Sequence, residues 1–324
     1  MSKFVPTSLN DAVAVLCQGG VVGVPSETVY GLAADATRSD AVAGIFALKN
    51  RPSTNPLIVH CKDAAHAKTF AQDWPKFADA LADAFWPGPL TMVVPKTDSI
   101  PDIVSAGLNT VALRVPSHPT FQALLNRLDF PLAAPSANKS NHISPTCARH
   151  VHDEFGDAVP VLDGGACDVG IESTVIDLTS SLAKMLRPKL LRPGSISRAQ
   201  IEAVIGPIDA FVGELSPNAA ASSPGQHAQH YAPRAPALRF TRNTPPIPKL
   251  RSCAIVIGAL PESMRVPELL HFGVLSSDPD RAAAKLYNVM RYLDKLNPSE
   301  IYIELPPDAP EWVAVRDRVM RATQ

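Results

Sequence analysis

Hydrophobic residues recur at helical spacing along residues 9–17, the first regular pattern in the chain. Ser8 and Asp11 form an S-x-x-D start signal at this pattern, and Gly19-Gly20 follows it as a stop signal, so we expect a helix. The apolar residues 21–25 then predict a strand. The polar residues 26–31 predict a turn that leads into the next helix.

A second helix-like run, residues 40–48, is followed by several short apolar runs of the kind that form buried strands. A helical stretch through Phe85 and the breaker Trp86-Pro87-Gly88-Pro89 separate two of these runs. The apolar runs are residues 57–61, 90–94, 111–115, 132–134, 161–162, 173–178 and 185–192. Strands alternating with helices predict an α/β domain of many strands, and we expect mixed strand direction.

The regular pattern stops at Gly206, after which Pro, Gly, Ala and Ser dominate. A passive tether is polar throughout, whereas His227, His230 and Tyr231 lie between prolines in the centre of this segment. These residues favour a segment that docks on another part of the protein over a simple tether.

Two further apolar runs, residues 253–257 and 301–305, flank a helical stripe between residues 286 and 296. This order predicts a small βαβ-type second domain. A length of 324 residues also favours two domains over one. We therefore expect a first domain at residues 1–205, a linker at 206–236 and a second domain at 237–324.

Composition limits the classes of function. The chain is 46% hydrophobic and 19% charged with a formal net charge of -1, which argues against broad charge-driven binding of nucleic acid. Its five cysteines are scattered without a C-x-x-C pair, which is typical of a reducing compartment. The sequence shows neither a signal peptide nor an apolar run of about 18 residues, so we expect a soluble cytoplasmic protein without membrane attachment.

A loop with two cations follows the second predicted helix. Lys49 and Arg51 stand one residue apart, and Pro52 and Pro56 restrict the backbone of the loop behind them. A compact ammonium beside a planar guanidinium suits a polyphosphate, whose charge is spread over several oxygens. The alternative interpretation is a solvated helix end, because the helix dipole also favours cations there.

Other polar residues stand at the ends of separate predicted elements, and neither a Walker-type loop nor a G-x-G-x-x-G motif is present. Taken singly, each hydroxyl is better explained as a helix cap or turn. For Arg114, a solvent-facing cation on an edge strand has about equal weight. His142, Cys147, His150 and His152 cluster without a zinc-binding spacing, so we expect no metal site made by protein side chains.

Several longer phrases occur in a characteristic order. They are PSETVYGLAADA from Pro25, LKNRPSTNPLIVH from Leu48, LAAPSANKSNHISPT from Leu132, GIESTVIDL from Gly170, LLRPGSIS from Leu190 and SPGQHAQHYAP from Ser223. Together these phrases resemble the long, two-domain form of the threonylcarbamoyl-AMP synthase family. The resemblance implies a YrdC-like twisted mixed-sheet domain with a cationic cavity, then a linker and a smaller Rossmann-like α/β domain.

The resemblance also implies a nucleotidyltransferase reaction. L-threonine, bicarbonate and ATP, with Mg²⁺ accompanying the ATP, would give threonylcarbamoyl-AMP and pyrophosphate for the threonylcarbamoyladenosine modification of tRNA. The residues implied to bind threonine are Thr28, His60, Arg114, Ala134, Ser173 and Thr174. Those implied to bind ATP are Lys49, Arg51, Asn55, Thr110, Ser136, Asn138, Ser144, Arg192 and Tyr231, with Lys49 and Arg51 as the catalytic pair.

The linker phrase departs from the family pattern, because Gln226-His227 stands where the family commonly has Met-Lys. His227 replaces that positive charge only when protonated. Since a carbamate and a mixed anhydride hydrolyse readily, we expect residues 223–233 to act as a lid over the site.

Three alternatives compete with this interpretation. The first is an RNA-binding module that uses the same basic residues, which the near-neutral charge disfavours. The second is carbamoyl transfer as in hydrogenase maturation, whose additional modules have no counterpart in this sequence. The third is a regulatory paralogue that binds nucleotide without turnover. We expect a monomer that passes its product transiently to the tRNA threonylcarbamoyl transferase and binds no nucleic acid stably.

Overall fold

The computed structural model of the chain describes residues 4–182, 187–210 and 231–323. These residues divide into two compact units. The first unit holds residues 4–140, 145–168, 172–182 and 187–210, and the second holds residues 141–144, 169–171 and 231–323. No helix among these residues has the length and apolar character needed to cross a membrane.

The first unit is built on one mixed sheet, to which its described residues contribute nine strands in the order β1-β2-β6-β3-β5-β4-β7-β8-β9. The strands are β1 (Val22–Val24), β2 (Gly31–Asp35), β3 (Ile58–His60), β4 (Leu90–Pro95), β5 (Thr110–Arg114), β6 (Leu132–Ala133), β7 (Thr174–Asp177), β8 (Lys189–Arg192) and β9 (Asp209–Ala210). Three neighbouring pairs are parallel, namely β3 with β5, β4 with β7 and β8 with β9, and the others are antiparallel. The predicted α/β class with mixed strand direction is thereby confirmed.

Helices of the first unit begin and end at signals that the sequence carries. The first helix is capped by the side chain of Ser8, which accepts from the amide of Asp11, and α8 begins with a full capping box of Ser197 and Gln200. The helix that precedes the cationic loop ends at Asn50, which adopts the left-handed conformation. The helices are α1 (Leu9–Cys17), α2 (Ser39–Lys49), α3 (Ala64–Lys68), α4 (Ala78–Phe85), α5 (Asp102–Ser105), α6 (Pro119–Leu125), α7 (Ala148–Phe155) and α8 (Arg198–Ile205).

The two faces of this sheet are packed differently. One face carries the larger core, in which Leu32, Val59, Met92 and Leu113 meet residues of the surrounding helices. The other face carries two smaller apolar clusters, one packed against α1 and α6 and one formed by Ile58, Val93, Ala112, Val175 and Leu191. Since side chains alternate along a strand, polar residues two positions from the smaller cluster share its face.

Two elements of this unit differ from the sequence prediction. Residues 31–35 form the fully buried strand β2. The sequence analysis instead predicts that a turn leads from this region into the next helix. Gly, Ala and Leu have little intrinsic preference for strands, so pairing with β1 and β6 decides the conformation here. The apolar pair Val161-Leu162 forms only an isolated bridge, between Val161 and Gly23.

The second unit contains a parallel sheet of four strands among its described residues, in the order β10-β13-β11-β12. Its strands are β10 (Ala237–Phe240), β11 (Ser252–Ile257), β12 (Leu269–Leu275) and β13 (Ile301–Glu304), and its helices are α9 (Pro279–Asp294) and α10 (Val313–Ala322). The strands β10 and β12 were not expected. β12 is half exposed and its apolar residues alternate only partly, which explains the weak signal.

Two short segments from the middle of the sequence belong to this second unit, residues Asn141–Ser144 and Val169–Ile171. A single boundary in the sequence therefore cannot separate the two units, because these segments lie among residues of the first unit. The predicted linker at 206–236 lies mostly outside the described residues, and so does the greater part of the expected lid at 223–233.

The contact between β12 and α9 leads to a stability prediction. A Cβ added at Gly273 would lie 2.2 Å from Cγ1 of Val289, so Gly273→Ala overpacks the contact. We expect a loss of about 1–3 kcal/mol in the free energy of unfolding. Urea unfolding of Gly273→Ala, Val289→Ala and the double variant measures the coupling. The explanation fails if Gly273→Ala costs the same with and without the Val289 side chain.

Candidate active site

One face of the first sheet collects polar side chains from neighbouring strands. In the parallel pair of β3 and β5, Ile58 lies opposite Ala112 and His60 opposite Arg114. Ile58 and Ala112 belong to the small apolar cluster, so His60 and Arg114, each two residues further along its strand, extend the same face. The register alone therefore brings together two residues that are 54 positions apart in sequence.

Arg114 is buried, at 3% exposure, and is held by three different groups. Its Nη2 donates to Oε1 of Glu27 at 2.6 Å, its Nη1 donates to the hydroxyl of Thr28 at 2.9 Å, and its Nε donates to the carbonyl of Gly88 at 3.3 Å. Each terminal nitrogen has two hydrogens, so among the described residues one N–H on each remains for another acceptor.

The carboxylate of Glu27 is buried beside this guanidinium. Burial raises the pKa of Glu27, but the charge and hydrogen bond of Arg114 outweigh that effect and hold the pKa below its usual value. In the part of the chain that the structure describes, Oε2 of Glu27 has no hydrogen-bond partner. The pair thus presents an anionic oxygen and unused guanidinium donors together.

His60 is buried at 3% exposure, with its ring against Phe121 at 5.2 Å between ring centroids. Burial, together with the nearby positive charge of Arg114, lowers its pKa to about 3. The imidazole is therefore neutral near pH 7. Its Nδ1 finds no hydrogen-bond partner within the described residues, so it can still bond to a ligand.

Ser173, assigned to threonine from the sequence, bonds directly to Arg192, which was assigned to ATP. Its hydroxyl lies 2.8 Å from the hydroxyl of Thr91 and accepts from Nη2 of Arg192 at 3.1 Å. The neighbouring Thr174 instead donates its hydroxyl to the carbonyl of Ile196 at 2.7 Å. That bond secures the loop after β8, so the side chain of Thr174 has a structural role.

Gly194 fits closely against this segment. A Cβ at that position would lie 2.4 Å from the amide nitrogen of Thr174 and 2.8 Å from the carbonyl oxygen of Glu172. Only glycine allows the two backbones to approach so closely. The Arg192-Pro193-Gly194 sequence therefore holds the Ser173 backbone in place.

Lys49 connects the end of α2 with the loop that follows β6. Its ammonium donates to the backbone carbonyls of Ser136 and Asn138, and the side chain is buried. Burial, and then the positive charge of Arg51, lower the pKa of Lys49 well below its usual value. No carboxylate forms a salt bridge with it among the described residues, so an anion entering there would meet a desolvated cation.

Arg51 braces the proline-rich loop. Its Nε donates to the carbonyl of Asn55 at 3.1 Å and its Nη2 donates to that of Pro56 at 2.9 Å. Thr110 begins β5, and the register of β3 with β5 places it level with Pro56. Lys49, Arg51, Asn55 and Thr110 therefore lie at one end of these two strands.

Some members of the two predicted groups occupy opposite ends of the same strands, whereas Arg192 of the ATP group bonds to Ser173 of the threonine group. His60 and Arg114 lie at the carboxyl ends of β3 and β5, whereas Thr110 lies at the start of β5. Thr110 and Arg114 are four residue steps apart along β5, which corresponds to roughly 13 Å. Ala134, the remaining residue of the predicted threonine group, is buried beside β3 and donates its amide to the carbonyl of Ile58.

Two of the predicted ATP-binding residues, Ser144 and Tyr231, belong to the second unit. Within that unit the ring of Tyr231 packs against Tyr287, at 5.7 Å between centroids, and against the guanidinium of Arg318 at 5.3 Å. The other thirteen predicted site residues belong to the first unit.

Sequence reasoning missed two residues of this region, Glu27 and Thr91. Glu27 lies inside the PSETVYG phrase, and Thr91 interrupts the apolar run of β4. A polar residue within an apolar strand is the available signal for Thr91. For Glu27 the signal is weaker, because its pairing with Arg114 spans 87 positions.

The chemistry of these side chains does not fit a metal held by the protein. The described residues contain no group of three or more His, Cys, Asp or Glu side chains arranged to hold an ion. Glu27 already pairs with Arg114, and Lys49 and Arg51 beside the proposed phosphate positions are cations, which do not bind a metal ion.

The fold and these residues define a family of α/β proteins built on the YrdC-type domain. The Sua5, YciO and YrdC family model, described as "Telomere recombination", matches residues 14–194. A second model, described as "Threonylcarbamoyl-AMP synthase, C-terminal domain", matches residues 196–324. The chain therefore belongs to the threonylcarbamoyl-AMP synthase family in its two-domain form, which confirms the resemblance seen in the sequence.

Relatives of similar length support this assignment. A threonylcarbamoyl-AMP synthase of Bacillus subtilis is 39% identical, with 96% of this chain and 91% of that protein covered. The one from Pyrococcus abyssi is 35% identical, with 96% and 93% covered. A crystal structure of P. abyssi Sua5 complexed with L-threonine matches with a TM-score of 0.86 and 32% identity, over 97% of this chain and 94% of that one.

The low pKa of His60 leads to a pH prediction. Between about pH 3 and 6.5 the unfolded chain binds a proton that the folded protein does not, so stability falls as the pH falls through this window. We expect His60 to account for a loss of about 2 kcal/mol between about pH 7 and about pH 5.

Urea unfolding of His60→Gln at these two pH values checks the prediction, because glutamine does not titrate. Glu27 does not confuse the comparison, because its pKa is lowered and therefore lies below both pH values. The exposed His271 offers a matched control in His271→Gln. A pH dependence that stays the same in His60→Gln would contradict the account.

Proposed function

We propose that this chain is an L-threonylcarbamoyladenylate synthase, which forms threonylcarbamoyl-AMP and pyrophosphate from L-threonine, bicarbonate and ATP. The observation that carries the proposal is the buried Glu27–Arg114 pair, which offers both charges needed by a zwitterionic amino acid. The family to which the chain belongs and the threonine complex of P. abyssi Sua5 support it.

Threonine would bind at the carboxyl ends of β3 and β5. The remaining N–H groups of Arg114 would hold its carboxylate, and Oε2 of Glu27 would accept from its ammonium. The neutral His60 and the hydroxyls of Thr28 and Ser173 would bond to the threonine side chain. These bonds replace the hydration that both charges of threonine lose on binding. They therefore offset the free-energy cost of burying the amino acid.

ATP would bind at the opposite end, across Lys49, Arg51, Asn55, Thr110, Ser136 and Asn138, with Arg192 between the two substrates. A triphosphate next to Lys49 would favour its charged form and so oppose the lowering of its pKa by burial. The family resemblance assigns two further residues to ATP, Ser144 and Tyr231, and both belong to the second unit.

The chemistry proceeds in two steps. The neutral threonine amine first attacks carbon dioxide and releases a proton to water, or attacks bicarbonate with loss of water, and either route gives a carbamate. A carbamate oxygen then attacks the α-phosphorus of ATP. The new bond is a carbamate–phosphate anhydride, and pyrophosphate leaves with the electron pair of the broken phosphoanhydride bond. Such a transfer needs positioning and charge neutralisation more than a protein nucleophile.

Mg²⁺ enters this proposal with the triphosphate. Because the described side chains do not offer a metal-binding set, phosphate oxygens would be its principal ligands. The cations Lys49 and Arg51 act on the phosphates independently of the ion.

The other features of the proposal stay predictions. They are a lid at residues 223–233, hand-over of the unstable product to the tRNA threonylcarbamoyl transferase, a monomeric state and a cytoplasmic location. Among the solved relatives is a P. abyssi Sua5 variant with adjacent His and Tyr both changed to Ala. This chain has one such His-Tyr pair, His230-Tyr231, at the end of the proposed lid.

The alternative of an RNA-binding module fits the molecule less well. The cations that it would use are largely buried and already bonded to carbonyls or to Glu27, whereas RNA backbones bind exposed basic surfaces. The near-neutral net charge agrees with this conclusion.

Omission of single substrates tests the proposed reaction. We expect pyrophosphate release by the full chain to need ATP, L-threonine and bicarbonate together, and isotope-labelled bicarbonate to appear in a product that also contains threonine and AMP. Pyrophosphate release that is unchanged without threonine would refute the proposal. L-serine in place of threonine checks the contribution of the methyl group.

Substitutions of the two loop cations test their proposed role. We expect Lys49→Met and Arg51→Gln each to lower kcat by on the order of a hundredfold, because each removes charge stabilisation of the departing pyrophosphate. Arg38→Gln is a matched control at the residue before the same helix, since the side chain of Arg38 forms an exposed ion pair with Asp40. Lys49→Met also leaves two carbonyls without their donor, so circular dichroism must confirm that the variant is folded. Undiminished turnover in folded variants would remove both residues from the mechanism.

A further inference from the structure

Helix α9 of the second unit holds a segment from the middle of the sequence through Arg291. The Nε of Arg291 donates to the carbonyl of Ser144 at 3.3 Å, and its Nη2 donates to the carbonyl of Ile143. The guanidinium is buried, at 8% residue exposure. A buried cation bound to two backbone carbonyls fixes that backbone more firmly than apolar packing alone.

The same helix contacts a second segment near its N-terminal end. Gly170 has φ +73°, and a Cβ there would lie 2.5 Å from Cα of Ala284 and 2.7 Å from the carbonyl oxygen of Ala283. Both atoms belong to helix backbone, which cannot move aside as a flexible side chain does. Residues 169–171 therefore pack directly on α9, and both the contact and the backbone angle require glycine.

Each segment is joined by a short stretch of chain to residues of the proposed site. Residues 141–144 begin three positions after Asn138 and include Ser144, both assigned to ATP. Residues 169–171 end two positions before Ser173, which is assigned to threonine. At most two residues intervene along the chain in either case.

We propose that α9 is a positioning element for the reaction, acting on the ATP residues through Arg291 and on the threonine residues through the Gly170 contact. The inference rests on the proposed function. Arg291 is a positioning residue, because it acts through the backbone of residues 143 and 144. Displacements of about 1 Å in such groups are enough to slow an enzyme strongly.

The first arm of the test removes the donors of Arg291. We expect Arg291→Met to raise the KM for ATP about tenfold, as the loss of charged hydrogen bonds predicts, while the KM for threonine changes by less than about twofold. Arg291→Lys keeps a donor and should recover part of the affinity for ATP. Pyrophosphate release with each substrate varied in turn gives both constants.

Arg242→Met serves as the matched control. Arg242 also lies in the second unit and also donates to two carbonyls, those of Ile257 and Ala259, besides pairing with Glu304. Its loss should lower the melting temperature without changing the KM for ATP. A purely structural role for Arg291 would make the two variants behave alike, and that outcome would overturn the proposal.

The second arm addresses Gly170. We expect Gly170→Ala to raise the KM for threonine by about tenfold and to leave the KM for ATP less affected, the reverse of Arg291→Met. Should Gly170→Ala fail to fold, the split between the two constants in Arg291→Met and its partial recovery in Arg291→Lys still decide the question. Unchanged constants in folded Arg291→Met would overturn the inference.

Failure of the inference is distinguishable from failure of the proposed function. If the wild-type chain shows no threonine-dependent pyrophosphate release, the function is wrong. If the wild-type chain is active and the Arg291 variants keep its constants, the function stands and only the role of α9 is wrong.

Discussion

The buried ion pair between Glu27 and Arg114 is the interaction on which the proposed site depends. Each charge loses its hydration in the sheet, and removal of one partner from such a pair costs about 3–5 kcal/mol. The pair can still bond to a ligand. Among the described residues, Oε2 of Glu27 accepts no hydrogen bond and each terminal nitrogen of Arg114 keeps one unused N–H. Stability and ligand binding therefore make demands on the same two side chains.

Lys49 is also a buried charge in the proposed site, but no ion pair among the described residues compensates it. Its ammonium is held by backbone carbonyls of Ser136 and Asn138 rather than by a carboxylate. Carbonyl dipoles satisfy its hydrogens but do not neutralise its charge, so burial still depresses its pKa. A buried cation of this kind suits an anionic substrate better than a fully neutralised one, because the substrate supplies the missing charge.

Much of this arrangement follows from the sequence, although for different reasons in different places. The strands β3, β4 and β5 are dense in β-branched and apolar residues, and the Lys49 loop and the Arg192-Pro193-Gly194 turn carry recognisable local chemistry. β2 was missed because small residues carry no strand signal. The pairing of Glu27 with Arg114 and the assignment of residues 141–144 and 169–171 to the second unit depend on distant contacts, which a local pattern does not encode.

The order of synthesis matters for the two segments, residues 141–144 and 169–171, that belong to the second unit. During synthesis, residues 141–144 and 169–171 leave the ribosome well before α9, the helix that binds them. Domains generally fold as they emerge, so the first unit can acquire its sheet while these two stretches still lack their final contacts. A nascent or truncated chain would then contain most of the proposed site in an unfinished form. Completion of the polypeptide would thus be the step that supplies the contacts of α9 with both stretches.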